Sequence, residues 1–204
     1  MTVRIVLASA NAGKIEECAR LVPGEFEIVL SKDLGVLLPP ETGDSFQSNA
    51  RTKALTAAMA TGAIALGDDS GLEVLALDGS PGVLSARFAG DNATDDQNIS
   101  KLLDMMKEVP AFNRSAVFRC AIALASPDGS VEVVEGSAAG MIGSRPRGSR
   151  GFGYDPVFVV DGGLTFGELD PAAKDAISHR GMALRKLVPI LQRVIAESNS
   201  PKTS

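Results

Sequence analysis

The sequence of 204 residues predicts an α/β protein with a mixed β-sheet and flanking helices. Short β-branched, apolar runs are interspersed with longer segments in which apolar residues recur every three or four positions. Because the two kinds of segment do not alternate strictly, the sheet is expected to be mixed. A hydrophobic fraction of 45% suffices for a sizeable core. The length predicts one domain over residues 1–197, followed by a disordered tail over residues 198–204.

The first part of the chain predicts a strand and two helices. Residues 3–9 (VRIVLAS) are typical of a buried strand, and Asn11 is expected to cap the helix that follows. A longer helix is predicted to begin at Asp44 or Ser45 and to end at Gly62.

The middle of the chain predicts two short strands and a helix. Residues 63–67 (AIALG) and 72–77 (LEVLAL) are expected to be strands on either side of an acidic turn. Thr94 and Gln97 have the spacing of a capping box, and Pro110 is expected to end the helix that they begin.

The last part predicts a hairpin, a strand and a final helix. Asp128 and Gly129 mark the turn between two long strands, and residues 156–160 (PVFVV) predict another strand. The last helix is expected to start near Ser178, and Pro189 is expected to kink it or to delay its start.

Composition disfavours several classes of protein. A net charge of −5 argues against a nucleic-acid-binding protein, although a few lysines can still attract a small polyanion. The N-terminal apolar run is too short for a signal peptide, and no segment approaches the length of a membrane span. Two cysteines and one histidine fit neither a disulfide framework nor a zinc cluster, so a reducing cytoplasm is the expected compartment.

A candidate phosphate-binding loop lies between the first strand and the first helix, at residues 9–14 (SANAGK). Small residues ahead of a helix offer backbone N–H groups to a phosphate, and Lys14 adds a full charge. The loop is not a Walker A motif, because Ala8 and Ile15 occupy positions where that motif needs Gly and Ser or Thr. The alternative is an ordinary βα turn with a surface lysine.

Three carboxylates are candidate magnesium ligands: Glu41, Asp68 and Asp69. The adjacent aspartates follow an apolar segment, where two like charges need a cation or water beside them. Carboxylate oxygens from separate loops are ligands that magnesium accepts, together with water and phosphate oxygens. The alternatives are a solvated turn for Glu41 and an Asx turn or helix cap for the aspartate pair.

Two late segments are suited to binding a planar base. Residues 150–156 (RGFGYDP) offer an aromatic surface on which a base can stack and a carboxylate at Asp155 that can hydrogen-bond the base edge. The alternative is a glycine-rich loop that packs Phe152 or Tyr154 on the core. Residues 178–180 (SHR) bring several hydrogen-bond donors together, and recognition of the carbonyl oxygens of a base requires such donors. The alternative for that segment is a helix cap with a surface histidine.

Together these motifs resemble the non-canonical purine nucleoside triphosphate pyrophosphatases, the inosine/xanthosine triphosphatase family. The resemblance rests on Ser9, Asn11 and Lys14 in an S/T-x-N-x-x-K signature, and on the segments DDSGLEV, PGVLSARF, GFGYDP and KDAISHR. It implies Mg²⁺-dependent hydrolysis of ITP, dITP and XTP to the monophosphate and pyrophosphate. It also implies a cytoplasmic homodimer with an elongated α/β fold, two lobes around a central active-site cleft, and no nucleic-acid or membrane partner.

The same resemblance implies roles for individual residues. Asp69 is the proton acceptor, and Glu41, Asp68 and Asp69 serve the metal. The residues expected on the phosphates are Ser9, Ala10, Asn11, Ala12, Gly13, Lys14, Lys53 and Lys174. Ser70 is also expected to contact the substrate. Phe152, with Gly153 and Tyr154, is expected to form the surface on which the base stacks. Asp155 is expected to hydrogen-bond the base edge, and His179 with Arg180 is expected to bind the oxygens of the base.

Three other functions stay open, and the sequence disfavours each of them. A Maf-like nucleotide pyrophosphatase shares the general fold and reaction but lacks GFGYDP and SHR in this form. A nucleotide-binding protein without turnover is disfavoured by the presence of Asp69 and Lys14. An RNA-binding module around Arg145, Arg147 and Arg150 is disfavoured by the acidic balance of the chain.

Overall fold

The computed structural model describes residues 3–199 and confirms the predicted α/β class. One sheet has the strand order β2-β1-β3-β4-β5-β6. The strands are β1 (Val3–Ala8), β2 (Phe26–Leu30), β3 (Ala65–Val74), β4 (Ser115–Ala125), β5 (Val131–Ile142) and β6 (Phe158–Val159). The α-helices are α1 (Ala12–Leu21), α2 (Phe46–Thr61), α3 (Asp95–Met105), α4 (Pro171–Ile177) and α5 (His179–Asn199). The sheet is mixed, because β1 is parallel to β2 and β3 whereas β5 is antiparallel to β6.

The chain forms two compact units. Among the described residues, the first unit comprises residues 3–69, 121–135 and 182–199. The second unit comprises residues 70–120 and 136–181. The divisions fall inside β3, β4, β5 and α5 rather than in linkers, so no composition change in the sequence marks them.

The predicted boundaries of the first two helices are confirmed. The Asn11 side chain accepts a hydrogen bond from the backbone N–H of Lys14 and caps α1. Ser45, not Asp44, caps α2, since its side chain accepts from the backbone N–H of Ser48. Gly62 ends α2 with a φ of 65°, a left-handed conformation that favours glycine.

The predicted acidic turn is wrong. Ala65–Val74 is one continuous strand, and Asp68 and Asp69 lie within it. Residues Leu75–Leu77 of the second expected strand form a 3₁₀ turn instead. Adjacent aspartates flanked by glycines are a turn signal in sequence. Here both carboxylates are buried and paired with lysines from other elements, which makes an extended conformation tolerable.

Helix α3 confirms the predicted capping box, with Thr94 and Gln97 bonding each other's backbone N–H groups. The helix ends at Met105, before Pro110. The guanidinium group of Arg114 donates to the carbonyl oxygens of Met106 and Val109, in the segment that follows the helix.

The C-terminal region contains a helix that the sequence did not predict. Helix α4 is capped by Asp170, and α5 follows it at His179, with Ser178 Oγ accepting from the backbone N–H of Gly181. Helix α5 runs through Pro189, so that proline does not delay its start. Of the predicted tail, residues 200–204 lie outside the described residues. Within residues 3–199, no helix is both long and apolar enough to cross a bilayer.

Candidate active site

In the first unit, the candidate phosphate loop lies beside the aspartate pair. Strand β1 ends at Ala8, which is paired with Gly67, so Asp68 and Asp69 extend just beyond the carboxyl end of β1. The loop begins there with a buried Ser9, whose Oγ accepts from the backbone N–H of Asn11. Parallel pairing of β1 with β3 therefore brings two motifs together that are nearly 60 residues apart in sequence.

Lys14, at the start of α1, pairs with both aspartates. Its Nζ lies 2.7 Å from Asp68 Oδ1 and 3.9 Å from Asp69 Oδ1. The Lys14 side chain is 12% exposed and that of Asp68 is 1% exposed. Lys14 is therefore not a surface lysine on an ordinary turn. It partly neutralises two carboxylates that have little access to water.

Lys53, in the middle of α2, also points at this region. Its Nζ lies 2.5 Å from Glu41 Oε1, 2.5 Å from the backbone oxygen of Asp68, and 3.8 Å from Asp69 Oδ1. The Glu41 side chain is 29% exposed, so a fully solvated turn does not describe it. We call Lys14, Glu41, Lys53, Asp68 and Asp69 the lysine–carboxylate cluster.

Asn49 belongs to the same region, although the sequence did not single it out as a site residue. It lies one helical turn before Lys53 and is buried, and its Nδ2 donates to Asp69 Oδ2 over 2.8 Å. The four-residue spacing from Lys53 was the available signal, because it places both side chains on one face of the helix.

The ionisation of Asp69 reflects opposing influences. Burial raises the pKa of its carboxyl group above the ordinary value of 3.8, and the nearby charge of Glu41 acts in the same direction. The positive charges of Lys14 and Lys53 and the hydrogen bond from Asn49 lower that pKa, but desolvation is the stronger influence. A carboxylate with a raised pKa is a better proton acceptor than an exposed one.

The cluster fits a metal ion that binds together with a phosphate. Within residues 3–199, no group of three or more His, Cys, Asp or Glu side chains is arranged to hold a metal ion by itself. Glu41 and Asp69 nevertheless both face the Lys53 ammonium group, at 2.5 and 3.8 Å. Mg²⁺ commonly takes one or two carboxylates and completes its shell with water and substrate phosphates. Two converging hard-oxygen side chains meet that requirement.

In the second unit, the late motifs come together around Phe152. Asp155 is 2% exposed, and its Oδ2 accepts from the backbone N–H of Phe152 at 2.8 Å and from Lys174 Nζ at 2.5 Å. The Lys174 Nζ also lies 5.1 Å from the centroid of the Phe152 ring. The structure thus places Lys174, which was expected on the phosphates, beside the surface on which the base is expected to stack.

Arg180 and His179 lie in the same unit and are buried. Arg180 donates to Ser70 Oγ over 2.8 Å, and its guanidinium carbon lies 5.6 Å from the Phe152 ring centroid. The His179 ring stacks on Phe118, with 4.6 Å between the ring centroids and 9° between the planes. Neither residue is a solvated surface group. We call Phe152, Asp155, Lys174, His179 and Arg180 the aromatic–basic cluster.

Tyr154 and Gly153 have structural contacts in this unit. Tyr154 belongs to the hydrophobic core, and its hydroxyl donates to the backbone oxygen of Ser85. Burial raises the pKa of that hydroxyl, with a smaller contribution from the charge of Asp95. The backbone N–H of Gly153 donates to Asp95, at the start of α3. Of the two aromatic residues in the loop, Tyr154 is therefore the core residue and Phe152 is the more accessible ring.

Comparison with known proteins identifies the family. The model described as the Ham1 family matches residues 5–190. The dITP/XTP pyrophosphatase of Desulforamulus reducens is 48% identical over 94% of this chain and 97% of its own, and that of Caulobacter vibrioides is 48% identical over 92% and 97%. The structure of a HAM1 protein from Coxiella burnetii is 43% identical with a TM-score of 0.85, covering 94% of this chain and 99% of the other. The chain belongs to the Ham1 family.

Proposed function

We propose that this protein hydrolyses dITP, ITP and XTP to the corresponding monophosphate and pyrophosphate, and so removes deaminated purines from the nucleotide pool. The relatives named dITP/XTP pyrophosphatases support this, because they match over nearly their full length. The observation that carries the proposal is the lysine–carboxylate cluster, in which two lysines face two adjacent aspartates on one strand.

The reaction is attack of a water molecule on the α-phosphorus. Asp69 accepts the proton of that water, the new O–P bond forms, and the bond from the α-phosphorus to the bridging oxygen breaks. Pyrophosphate leaves with the electron pair of the broken bond. The burial that raises the pKa of Asp69 makes its carboxylate a stronger base for this step.

Lys14 and Lys53 stabilise the negative charge that develops on the leaving pyrophosphate. Both ammonium groups pair with carboxylates of the cluster. A triphosphate offers them a larger negative charge, so we expect them to shift part of their interaction to it. Stabilising charge that grows in the transition state is commonly the largest catalytic contribution.

We propose that Glu41 and Asp69, with Asp68 nearby, hold Mg²⁺ when the triphosphate is bound. The ion would supply Lewis-acid polarisation of phosphate oxygens. The Lys53 ammonium group lies close to both carboxylates, and its positive charge offsets the repulsion between them.

The aromatic–basic cluster is proposed to select the base. Phe152 stacks on the purine, and Arg180 with His179 donates to the carbonyl oxygen at its position 6. We propose that Lys174 lies on the base side, since it contacts Asp155 and the Phe152 ring. Asp155 holds Lys174 and the backbone of Phe152, and its contact with the base edge remains a proposal.

The decisive experiment is one substrate panel with Mg²⁺. Each common and each deaminated purine triphosphate is incubated with the protein, and pyrophosphate and orthophosphate are measured separately. We expect pyrophosphate as the first product and a preference for dITP, ITP and XTP. Orthophosphate as the first product would rule out the mechanism, preference for another base would favour a Maf-like specificity, and binding without turnover would favour a nucleotide-binding protein.

We also propose that the enzyme works as a homodimer in the cytoplasm. Cys18 and Cys120 are both buried and are not joined by a disulfide bond, in keeping with a reducing compartment. The dimer is proposed from the family resemblance, and light scattering across a range of protein concentrations tests it. A molar mass that stays at 21.1 kDa would contradict it.

A further inference from the structure

Asn49 makes two hydrogen bonds that connect separate parts of the lysine–carboxylate cluster. Its Nδ2 donates to Asp69 Oδ2, and its Oδ1 accepts from the backbone N–H of Gly43, both over 2.8 Å. The side chain is buried, with the residue only 3% exposed. One amide thus contacts strand β3 on one side and, on the other, the segment that precedes α2.

The contact with Gly43 connects helix α2 to the segment that carries Glu41, two residues earlier. Residues 39–43 form neither helix nor strand, so the position of Glu41 depends on contacts such as this one. This hydrogen bond requires glycine at position 43. A Cβ atom there would lie 2.6 Å from Asn49 Oδ1 and 2.9 Å from Ser48 Oγ, which is too close for a side chain to fit.

The contact with Asp69 involves the oxygen that does not face the lysines. Oδ2 is held by Asn49, while Oδ1 lies 3.9 Å from Lys14 Nζ and 3.8 Å from Lys53 Nζ. A hydrogen bond to an ionised acceptor is stronger than one between neutral groups. Rotation of the Asp69 carboxyl group would exchange its two oxygens, and the Asn49 amide opposes that rotation.

We propose that Asn49 is a positioning residue for the hydrolysis, acting through Asp69 and through the segment that carries Glu41. The proposal rests on the proposed function of the cluster. It predicts that Asn49 contributes to the rate of the chemical step rather than to substrate affinity. Misplacement of a reacting group by about 1 Å can cost roughly 10²-fold in rate.

The chain offers a matched control in Asn98. Asn98 is also the fourth residue of its helix, α3, and is also 3% exposed. Its side chain likewise accepts a backbone N–H from a preceding segment, that of Ala89, but its amide donates to the backbone oxygen of Ala86. Substitutions at Asn98 therefore report the structural cost of losing such an asparagine, without a contact to Asp69.

The experiment compares Asn49→Asp, Asn49→Ala and Asn98→Asp in the full chain, with dITP and Mg²⁺ as substrate and metal. Asn49→Asp can still accept from Gly43 but cannot donate to an ionised Asp69. We expect kcat to fall roughly 10²-fold in both Asn49 variants with KM within about threefold, and Asn98→Asp to keep kcat within about threefold. Amide hydrogen exchange at Gly43 is expected to accelerate in Asn49→Ala and to stay slow in Asn49→Asp.

Each result decides between the interpretations. Equal losses of kcat in Asn49→Asp and Asn98→Asp, or a wild-type kcat in Asn49→Asp, would overturn the positioning role. Unchanged exchange at Gly43 in Asn49→Ala would overturn the proposed hold on the segment that carries Glu41. A wild-type protein that releases no pyrophosphate from dITP would instead overturn the proposed function, and with it the inference built on it.

Discussion

The ammonium group of Lys174 lies 2.5 Å from Oδ2 of Asp155, and both side chains are buried. The same oxygen accepts the backbone N–H of Phe152. This close approach requires glycine at position 151, where a Cβ atom would lie 1.9 Å from Asp155 Oδ2 and where φ is +76°. The position of the Phe152 ring therefore depends on a buried ion pair.

We predict that Lys174→Met strongly destabilises the protein, because it removes the ammonium group that pairs with the buried Asp155 carboxylate. Breaking a buried pair by removing one partner typically lowers the free energy of unfolding by roughly 3–5 kcal/mol. Urea denaturation of the variant and of wild type measures this loss in the free energy of unfolding. The matched control is Arg193→Met, which breaks an ion pair with Glu132 whose side chains are 55% and 44% exposed. A loss below about 1 kcal/mol is expected there, and equal losses in the two variants would contradict the prediction.

Asp69→Asn is expected to lower kcat by roughly 10²–10⁴-fold, the usual contribution of a general base. The amide cannot accept the proton of the attacking water, although it keeps the shape of the carboxyl group. Steady-state kinetics with dITP at saturating Mg²⁺ measure this. Turnover within a few-fold of wild type would remove Asp69 from the mechanism.

The same variant tests the ionisation of Asp69. Because the pKa of Asp69 is raised in the folded protein, its contribution to stability is complete below the unfolded value, near pH 3.8, and is lost as the pH rises through the folded value. The asparagine side chain of the variant does not titrate. The free energy of unfolding of Asp69→Asn, minus that of wild type, should therefore increase with pH in this window and then level off. Urea denaturation in a chelator at several pH values measures the difference, and a decrease with pH would show that the lysines outweigh burial.

Gly67→Ala should disturb the cluster without touching any of its charged side chains. A Cβ atom at position 67 would lie 2.2 Å from the backbone oxygen of Ala50 and 2.7 Å from the nitrogen of Ala54, so helix α2 would have to move away from β3. Helix α2 carries Asn49 and Lys53. We expect a loss of roughly 1–3 kcal/mol in stability, as overpacking usually causes, together with a lower kcat in the folded protein.

Gly24→Ala is the control for that substitution. It lies in the same unit, has no positive φ, and a Cβ atom there would meet nothing within 4 Å. Stability and kcat close to wild type are expected for it. Normal kcat in Gly67→Ala would show that the close packing of α2 on β3 does not determine the geometry of the cluster.

Arg180→Ala should reduce discrimination between bases. Arg180 can only donate hydrogen bonds, so a pocket that contains it favours the carbonyl oxygen of inosine over the amino group of adenosine. Loss of a hydrogen bond to a charged group should lower kcat/KM for dITP relative to dATP by roughly 10- to 10²-fold. The ratio of the two values does not depend on the fraction of active protein. A parallel decrease for both substrates would show that Arg180 serves all nucleotides alike.

The fold class, the starts of the first three helices and the family could be predicted from the sequence alone. Caps such as Asn11, Ser45 and Thr94 depend on bonds within a few residues, and these predictions are confirmed. The family resemblance is confirmed as well, because its motifs are short, ordered segments that can be read directly from the chain.

The partners of the site residues, in contrast, are visible only in the folded chain. The continuous strand through Asp68 and Asp69 depends on Lys14 and Lys53, which come from two other elements. Local sequence patterns also could not predict the hydrogen bond from Asn49 to Asp69 or the position of Lys174 beside Phe152. These outcomes depend on burial and on charges that are distant in sequence. No local propensity encodes them, because the free energy of a buried charge is set by what packs around it.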